Sequence, residues 1–492
     1  MAHVPMTSTA TTAPVSPVHA PEVRSAAPSV AEVEASAALP LFLLLVSAVK
    51  WLFLGSFFGW LTFVKLHLPA LLSGTPALTY GRTEPVMWIC LLYGFCLQAG
   101  FGAAIWLTCR LSRSLLYNRS LVILSAVLWN IAVLAAVIAV LSGNSSGFPR
   151  LEFPGTIAPL FIASAVLIGI SILQTLHNRV ERALYVSSWF IFAAICWFPW
   201  ILSTSSYFLL VNPLRGSVQP VLNLWYANNL TTLCIAPFAL AVIFYFIPKL
   251  TERPLYSRSL AVLGFWGYVL LASWGGFDLS AGIPRWLVSV SAVMTIFLIV
   301  PGLAIGLNWR ATFSGANPRK SVELGLIKFA AGAFILSILA GVLTALPAVR
   351  NFVAYTHLGY ALAYLGTFGV GAAAFLGATH HILPRLLGEA DWPSVRLSKW
   401  HYLGTTVGTA LIVGGFAIAG LMQGTALADA SVPFITSVKR TSPGVGIAIL
   451  GFLFFSAGQV MLLLNISTLF WRCCASCCCG SGPVSRNSEV RR

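Results

Sequence analysis

Charge is scarce in this chain. Asp, Glu, Lys and Arg make up 9% of its 492 residues, and only 13 residues are acidic. A soluble domain carries about 25% charged residues. With 58% hydrophobic residues and a mean hydropathy of +0.87, a water-soluble fold would lack the polar surface needed to cover its core. Lipid as solvent removes that difficulty, because long apolar runs become spanning helices. No cleavable leader is expected from residues 1–38, which are rich in Ala, Pro, Ser, Thr and Val, with no basic segment leading into an apolar one. The ten Cys form no disulfide framework. Cys90, Cys96, Cys109, Cys196 and Cys234 lie in or beside apolar runs, as small buried hydrophobes do. Five more cluster between Cys473 and Cys479, where a reduced tail, acylation or a metal each fit. The formal charge of +16 comes from Lys and Arg scattered singly in short loops, a pattern that excludes nucleic acid as the expected partner.

What is present is a series of apolar runs near 39–64, 86–108, 120–141, 155–173, 184–208, 223–247, 259–277, 286–307, 323–347, 352–377, 401–423 and 443–470. Each can cross roughly 30 Å of hydrocarbon as a helix rising about 1.5 Å per residue. The expected fold class is therefore an all-α integral membrane bundle of about twelve transmembrane helices. Its domains are a disordered tail (1–38), a membrane domain (39–471) and a Cys-rich, basic tail (472–492). Arg110, Arg113, Arg182, Lys249, Arg253, Arg319 and Arg385 gather on the side that holds both termini, and the opposite side carries fewer cations, among them Arg82, Arg150 and Arg350. The positive-inside rule makes the first side cytoplasmic. Lys50 and Lys328 fall within spans, where a snorkelling side chain and a polar cavity are the alternatives.

Redox membrane proteins usually hold haem with His on facing helices. Of the eight His, His3 and His19 lie in the tail, while His67, His177, His380, His381 and His401 are expected at helix ends or in loops. His357 is expected inside a span, near its outer end. Adjacent His380 and His381 point about 100° apart on a helix and do not converge on one metal.

Several segments resemble catalytic subunit I of the cbb-type haem-copper cytochrome c oxidases. They are Phe246-Ile247-Pro248-Lys249 with Glu252-Arg253-Pro254, Leu78-Thr79-Tyr80-Gly81-Arg82, Glu181-Arg182, Leu383-Pro384-Arg385-Leu386, Trp400-His401-Tyr402 and Gly420-Leu421-Met422-Gln423-Gly424. They occur in the family's order and cover all but the tails. The resemblance implies a twelve-helix core, haem and copper as cofactors, and other respiratory-complex membrane subunits as partners beside the lipid bilayer. It also implies a bacterial inner membrane with both termini cytoplasmic.

Carried over position by position, the resemblance breaks at the metal ligands. The low-spin haem His, counted from Gly81-Arg82-Thr83-Glu84-Pro85, corresponds to Met87. The first copper His, counted from Trp225-Tyr226, corresponds to Asn228. The adjacent copper His pair, counted from Trp274-Gly275-Gly276-Phe277, corresponds to Asp278 and Leu279, and the nearby tyrosine to Ala272. The His-x-His of the tenth helix, counted back from Pro384, corresponds to Leu362 and Tyr364; a shifted register offers His357 with Gly359. Met is an acceptable haem ligand opposite His, and copper favours imidazole or thiolate. These substitutions imply no catalytic residue and no haem or copper of the chain's own. The bulk of Met87, Phe277, Leu362 and Tyr364 would fill space a macrocycle needs. Asn228, Asn229 and Asp278 could form a small polar pocket near the outer face.

Three readings follow: a degenerate subunit kept as a membrane scaffold; an active but divergent terminal oxidase or nitric oxide reductase, which would need haem and copper; and a transporter or channel. The last predicts paired halves with broken helices. No internal repeat supports it, although Gly366, Gly369, Gly371 and Gly377 would permit close helix contacts.

Overall fold

A computed structural model describes residues 28–277 and 282–478, with side chains as far as Cys473. Asp278 and Leu279 lie outside the described residues, as do residues 1–27 and 479–492. Eleven helices are long and apolar enough to span a membrane: α1 (Val30–His67), α2 (Tyr80–Ser112), α3 (Arg119–Leu141), α4 (Ala158–His177), α5 (Val186–Val211), α6 (Val218–Thr251), α8 (Arg285–Phe313), α9 (Val322–Ala345), α10 (Leu358–Leu386), α11 (Val395–Ala428) and α12 (Ser442–Cys478). The remaining apolar helix, α7 (Arg258–Ala272), is shorter. It ends before the Gly275-Gly276 pair, five residues earlier than the apolar run that continues to Phe277.

Helix α1 begins at Val30, so residues 30–38, read as tail, are helical. A reciprocal cap explains the start. Ser29 Oγ accepts from Glu32 N (3.3 Å), and Ser29 N donates to Glu32 Oε2 (2.7 Å). At the other end, α12 carries the backbone of residues 472–478 beyond the expected boundary at 471.

Burial ranks the helices. In their most apolar stretches α2, α6 and α10 are 100%, 78% and 83% buried, against 33–56% for the other spans. These three are the centre of the bundle. They are also the helices that carry Met87, Asn228 and Tyr364. Each switches to π-helical backbone just past that position, at Ile89–Leu97, Leu230–Ile235 and Leu365–Ala372. A π segment re-aims the side chains around it and is frequent at functional sites.

Helices α11 and α12 meet along a glycine seam. A Cβ on Gly404 would lie 2.7 Å from the Gly458 Cα, and one on Gly415 would lie 2.5 Å from the Ala448 backbone nitrogen. Close backbone approach of this kind replaces hydrophobic burial as glue between helices in lipid. The expected close packing at Gly366 is not found, since a Cβ there meets nothing within 4 Å. Lys50 and Lys328 are both exposed on the outside of the bundle, and Lys328 Nζ lies 5.1 Å from the Phe313 ring centre. Snorkelling, not a polar cavity, fits both.

Candidate functional site

The positions that the resemblance sets against metal ligands divide into two neighbouring regions. In the first, Tyr364 Oη donates to the Met87 sulfur at 3.2 Å. Both residues are fully buried. The Tyr364 ring stacks on Trp88 (5.0 Å between centres, 11° between planes), on Phe368 (5.4 Å, 9°) and on Phe416 (5.5 Å, 20°). Phe452 meets it edge-on at 5.3 Å, and Phe63 packs against Phe416 and Phe452. The result is a column of aromatic rings drawn from α1, α2, α10, α11 and α12. Leu362 is only half-buried. Two residues before Tyr364, it lies about 200° round the helix.

Two axial haem ligands must have an iron and a porphyrin plane between them. The Met87 sulfur and the Tyr364 hydroxyl are instead in direct contact, with rings packed on the tyrosine faces. This donor set and spacing do not fit a six-coordinate haem. His357, in the shifted register, sits just before the first residue of α10 and not within it, and its ring Nδ1 pairs with Gln423 Oε1 at 2.6 Å.

The second region is polar. Asn223, Tyr226 and Asn229 share one buried stripe of α6 at three-residue spacing. The hydroxyls of Tyr226 and Tyr93 are hydrogen-bonded to each other, and Tyr93 Oη donates to the Arg150 carbonyl at 2.7 Å. Asn223 Nδ2 donates to the Pro149 carbonyl at 3.1 Å. Both carbonyls belong to the loop between α3 and α4, which pushes Leu151, Glu152 and Phe153 into the bundle as three consecutive buried residues. Glu152 Oε1 accepts from Arg150 N (2.8 Å), while Oε2 is buried without a partner. Burial raises the Glu152 carboxyl from about 4.5 to about 7, against the opposing pull of Arg150. Both amide atoms of Asn229 are also buried and unpartnered.

Asn228 points elsewhere. Its Nδ2 donates to the Ala272 carbonyl at 3.0 Å, and Gly275 and Gly276 pack against its side chain. Of the expected pocket residues, Asn229 lies on the buried stripe with Tyr226 and Asn228 packs against the end of α7, while Asp278 lies outside the described residues. Among the described residues no group of three His, Cys, Asp or Glu is arranged to hold a metal ion.

Trp88 joins the two regions. Its ring stacks on Tyr364, carries the Arg150 guanidinium at 3.3 Å, and donates through Nε1 to Glu84 Oε1 at 2.6 Å.

A further contact escaped the sequence reading. His380 and His401, expected at helix ends or in loops, are 3% and 0% exposed, and their Nε2 and Nδ1 lie 2.9 Å apart. Trp392, in the loop between α10 and α11, donates to the His380 carbonyl at 2.9 Å and covers the pair. His401 continues to Thr405 (3.3 Å), which accepts from Gln459 (3.1 Å). The i, i+4 spacing of His401 and Thr405 was the available signal.

A profile of the family described as cytochrome C and quinol oxidase polypeptide I matches residues 40–454. The Cbb3-type cytochrome c oxidase subunit CcoN1 of Stutzerimonas stutzeri is 25% identical over 439 residues, covering 85% of this chain and 92% of that one. Cytochrome c oxidase subunit 1 of Rhodobacter capsulatus is 25% identical over 376 residues, covering 73% and 70%. A solved structure of a heme-copper terminal oxidase dimer superimposes with a TM-score of 0.69 at 12% identity, over 87% of this chain and 84% of that one.

Proposed function

Because this chain belongs to the cytochrome c and quinol oxidase polypeptide I family, we propose that it serves as a subunit I-like membrane scaffold without a haem or copper centre of its own. The observation that carries this reading is the direct contact of Met87 with Tyr364 inside the aromatic column. An oxidase of this family needs donors that converge on iron and copper, and here two of the six ligand positions are in contact with each other while a third, Asn228, is engaged by a backbone carbonyl. Scaffold work also suits the exterior, where large apolar side chains such as Trp266, Trp286 and Leu270 face outward for lipid or for other membrane subunits. The partners are respiratory-complex membrane subunits, and both termini lie on the cytoplasmic side of a bacterial inner membrane.

The test is a reduced-minus-oxidised spectrum of the purified protein, with haem and copper quantified and co-purifying subunits identified. Neither cofactor near one per chain, together with other membrane subunits in fixed ratio, is the expected result. Stoichiometric haem overturns the reading and favours the divergent oxidase or nitric oxide reductase.

A further inference from the structure

Helix α1 ends at His67, whose ring Nε2 lies 3.0 Å from the Ser442 carbonyl oxygen at the start of α12. The chain then turns through residues 68–79 and enters α2 at Tyr80. Between these two helix ends lies an open cavity of about 390 Å³, lined by Lys65, Leu66, Pro69, Ser73, Thr79 and Tyr80. Lys65 is the unusual member, a charged side chain that is only 6% exposed. Its ammonium donates to the Leu71 carbonyl at 2.5 Å. An ammonium has three N–H donors, and this is the one acceptor it meets among the described residues.

No carboxylate answers the Lys65 charge. Among the described residues, ion-pair distance is reached only between Arg110 and Glu34 (3.6 Å). Glu84, one turn into α2, is held by Trp88 Nε1 at 2.6 Å, and Arg82 donates to the Leu141 carbonyl at 2.8 Å. A buried charge without a counter-charge is costly, and a neutral donor would serve to clamp a carbonyl. The start of α2 points the same way. Thr79 and Tyr80 border the cavity, yet no side chain caps the helix, and the Thr79 hydroxyl turns back to the Pro76 carbonyl at 3.2 Å. The first N–H groups of a helix lack partners in their own helix and favour an anion. The roughly half negative charge at the end of α1 and the roughly half positive one at the start of α2 offset each other. Lys65 therefore leaves on the order of one positive charge at the cavity.

We infer that this cavity binds a small organic monocarboxylate. Lys65 supplies charge-assisted bonds to the carboxylate, and the uncapped start of α2 and the Ser73 hydroxyl supply neutral ones. A single cation sets the charge of the ligand at one; a dianion would stay half-compensated. Leu66 and Pro69 give its carbon chain an apolar wall. The site is separate from the Met87 and Tyr93 regions and does not depend on the scaffold reading.

The experiment uses the full chain, purified in a nonionic detergent and titrated by calorimetry against a detergent blank. The probes are sodium butyrate and butyramide, a neutral molecule of nearly the same shape. Butyrate is expected to bind, and butyramide to bind at least about tenfold more weakly. Lys65→Gln lowers the butyrate affinity by about tenfold or more, because a bond to a charged group is lost. Lys439→Gln, which removes an exposed cation from the short helix Phe434–Arg440 at the same end of the bundle, leaves it unchanged. Ser73→Trp, at an exposed loop position, fills the cavity and abolishes binding, and it serves even if Lys65→Gln does not fold. No heat from butyrate, equal affinity for butyramide, unchanged binding in Ser73→Trp, or an equal loss in Lys439→Gln overturns the assignment. Inorganic phosphate binding more tightly than butyrate makes it a site for more highly charged oxyanions and overturns the monocarboxylate.

Discussion

The two regions that meet at Trp88 are filled in opposite ways. On the Tyr364 side the packing is of rings and a thioether, and the hydroxyl is satisfied by sulfur. On the Tyr93 side a phenol pair, a carboxyl and an amide are packed into the same bundle with two of their groups unpaired. Bulky apolar side chains close a space by dispersion contacts alone. Polar ones leave a residue of unmet hydrogen bonds, and each unmet bond is costly when buried. The first region is packed as ordinary core, whereas the second carries unpaired polar groups that a polar guest would satisfy.

The sharpest way to break that contrast is Tyr364→Ala. It removes the ring on which Trp88, Phe368 and Phe416 stack, and a cavity of that size in a close-packed core costs about 3–5 kcal/mol. The thermal midpoint of the solubilised protein should fall by several degrees. A fall no larger than that of an exposed substitution such as Leu421→Ala would mean that the column is loose and the contrast false.

Next in size is the pH response of the polar side. Glu152 has a raised folded value near 7 against about 4.5 in the unfolded chain. A raised acid binds more protons when folded, so its contribution is fully present below about 4.5 and is lost as pH rises through about 7. At about 1.4 kcal/mol per unit the loss amounts to a few kcal/mol. Hydrogen exchange of residues 145–153 should accelerate across that window, and Glu152→Gln should flatten the profile. A flat profile in the unaltered protein would place the carboxyl in water.

The bundle itself was legible because lipid thickness fixes the length of an apolar run, and all twelve runs correspond to helices. The start of α1 was written in Ser29 and Glu32, but the Pro-, Ser- and Thr-rich composition of the residues before it was extended over the whole of 1–38, although Ala and Glu in 30–38 favour a helix. The positions set against the family's ligands were counted off from motifs. Their consequence could not, because contact between Met87 and Tyr364 is set by how α2 and α10 pack. The π segments that follow them have no sequence signature comparable to a cap. Glu152 stood unnoticed between Leu151 and Phe153; an acid flanked by apolar residues in a short loop is the pattern of a segment folded inward. His380 and His401 were misplaced because helix ends usually meet water, and the covering Trp392 lies outside both helices.

A smaller effect separates the two tyrosines. Tyr93 Oη holds both Tyr226 and the Arg150 carbonyl, whereas the Tyr226 hydroxyl holds Tyr93 alone. Tyr93→Phe strands two buried groups and should cost about 1–3 kcal/mol; Tyr226→Phe leaves the Arg150 bond intact and should cost about 1 kcal/mol or less. Unfolding midpoints of the two variants give the order directly. The reverse order would show that the loop is held by something other than the phenol pair.

The smallest expected change concerns Asn229, and there its sign matters more than its size. An amide whose nitrogen and oxygen are both buried and unpaired loses nothing when replaced by an apolar group of similar shape. Asn229→Leu should therefore leave the unfolding midpoint unchanged or raise it slightly if the region is dry. Should a polar guest normally satisfy that amide, the same substitution removes its anchor and lowers the midpoint by the equivalent of about 1–3 kcal/mol. Paired with Asn228→Leu, which removes one of the two hydrogen bonds to the Ala272 carbonyl at the end of α7, the other coming from Gly275 N, and is expected to destabilise in either case, the measurement tells whether the polar region beside Trp88 is dry or holds a guest.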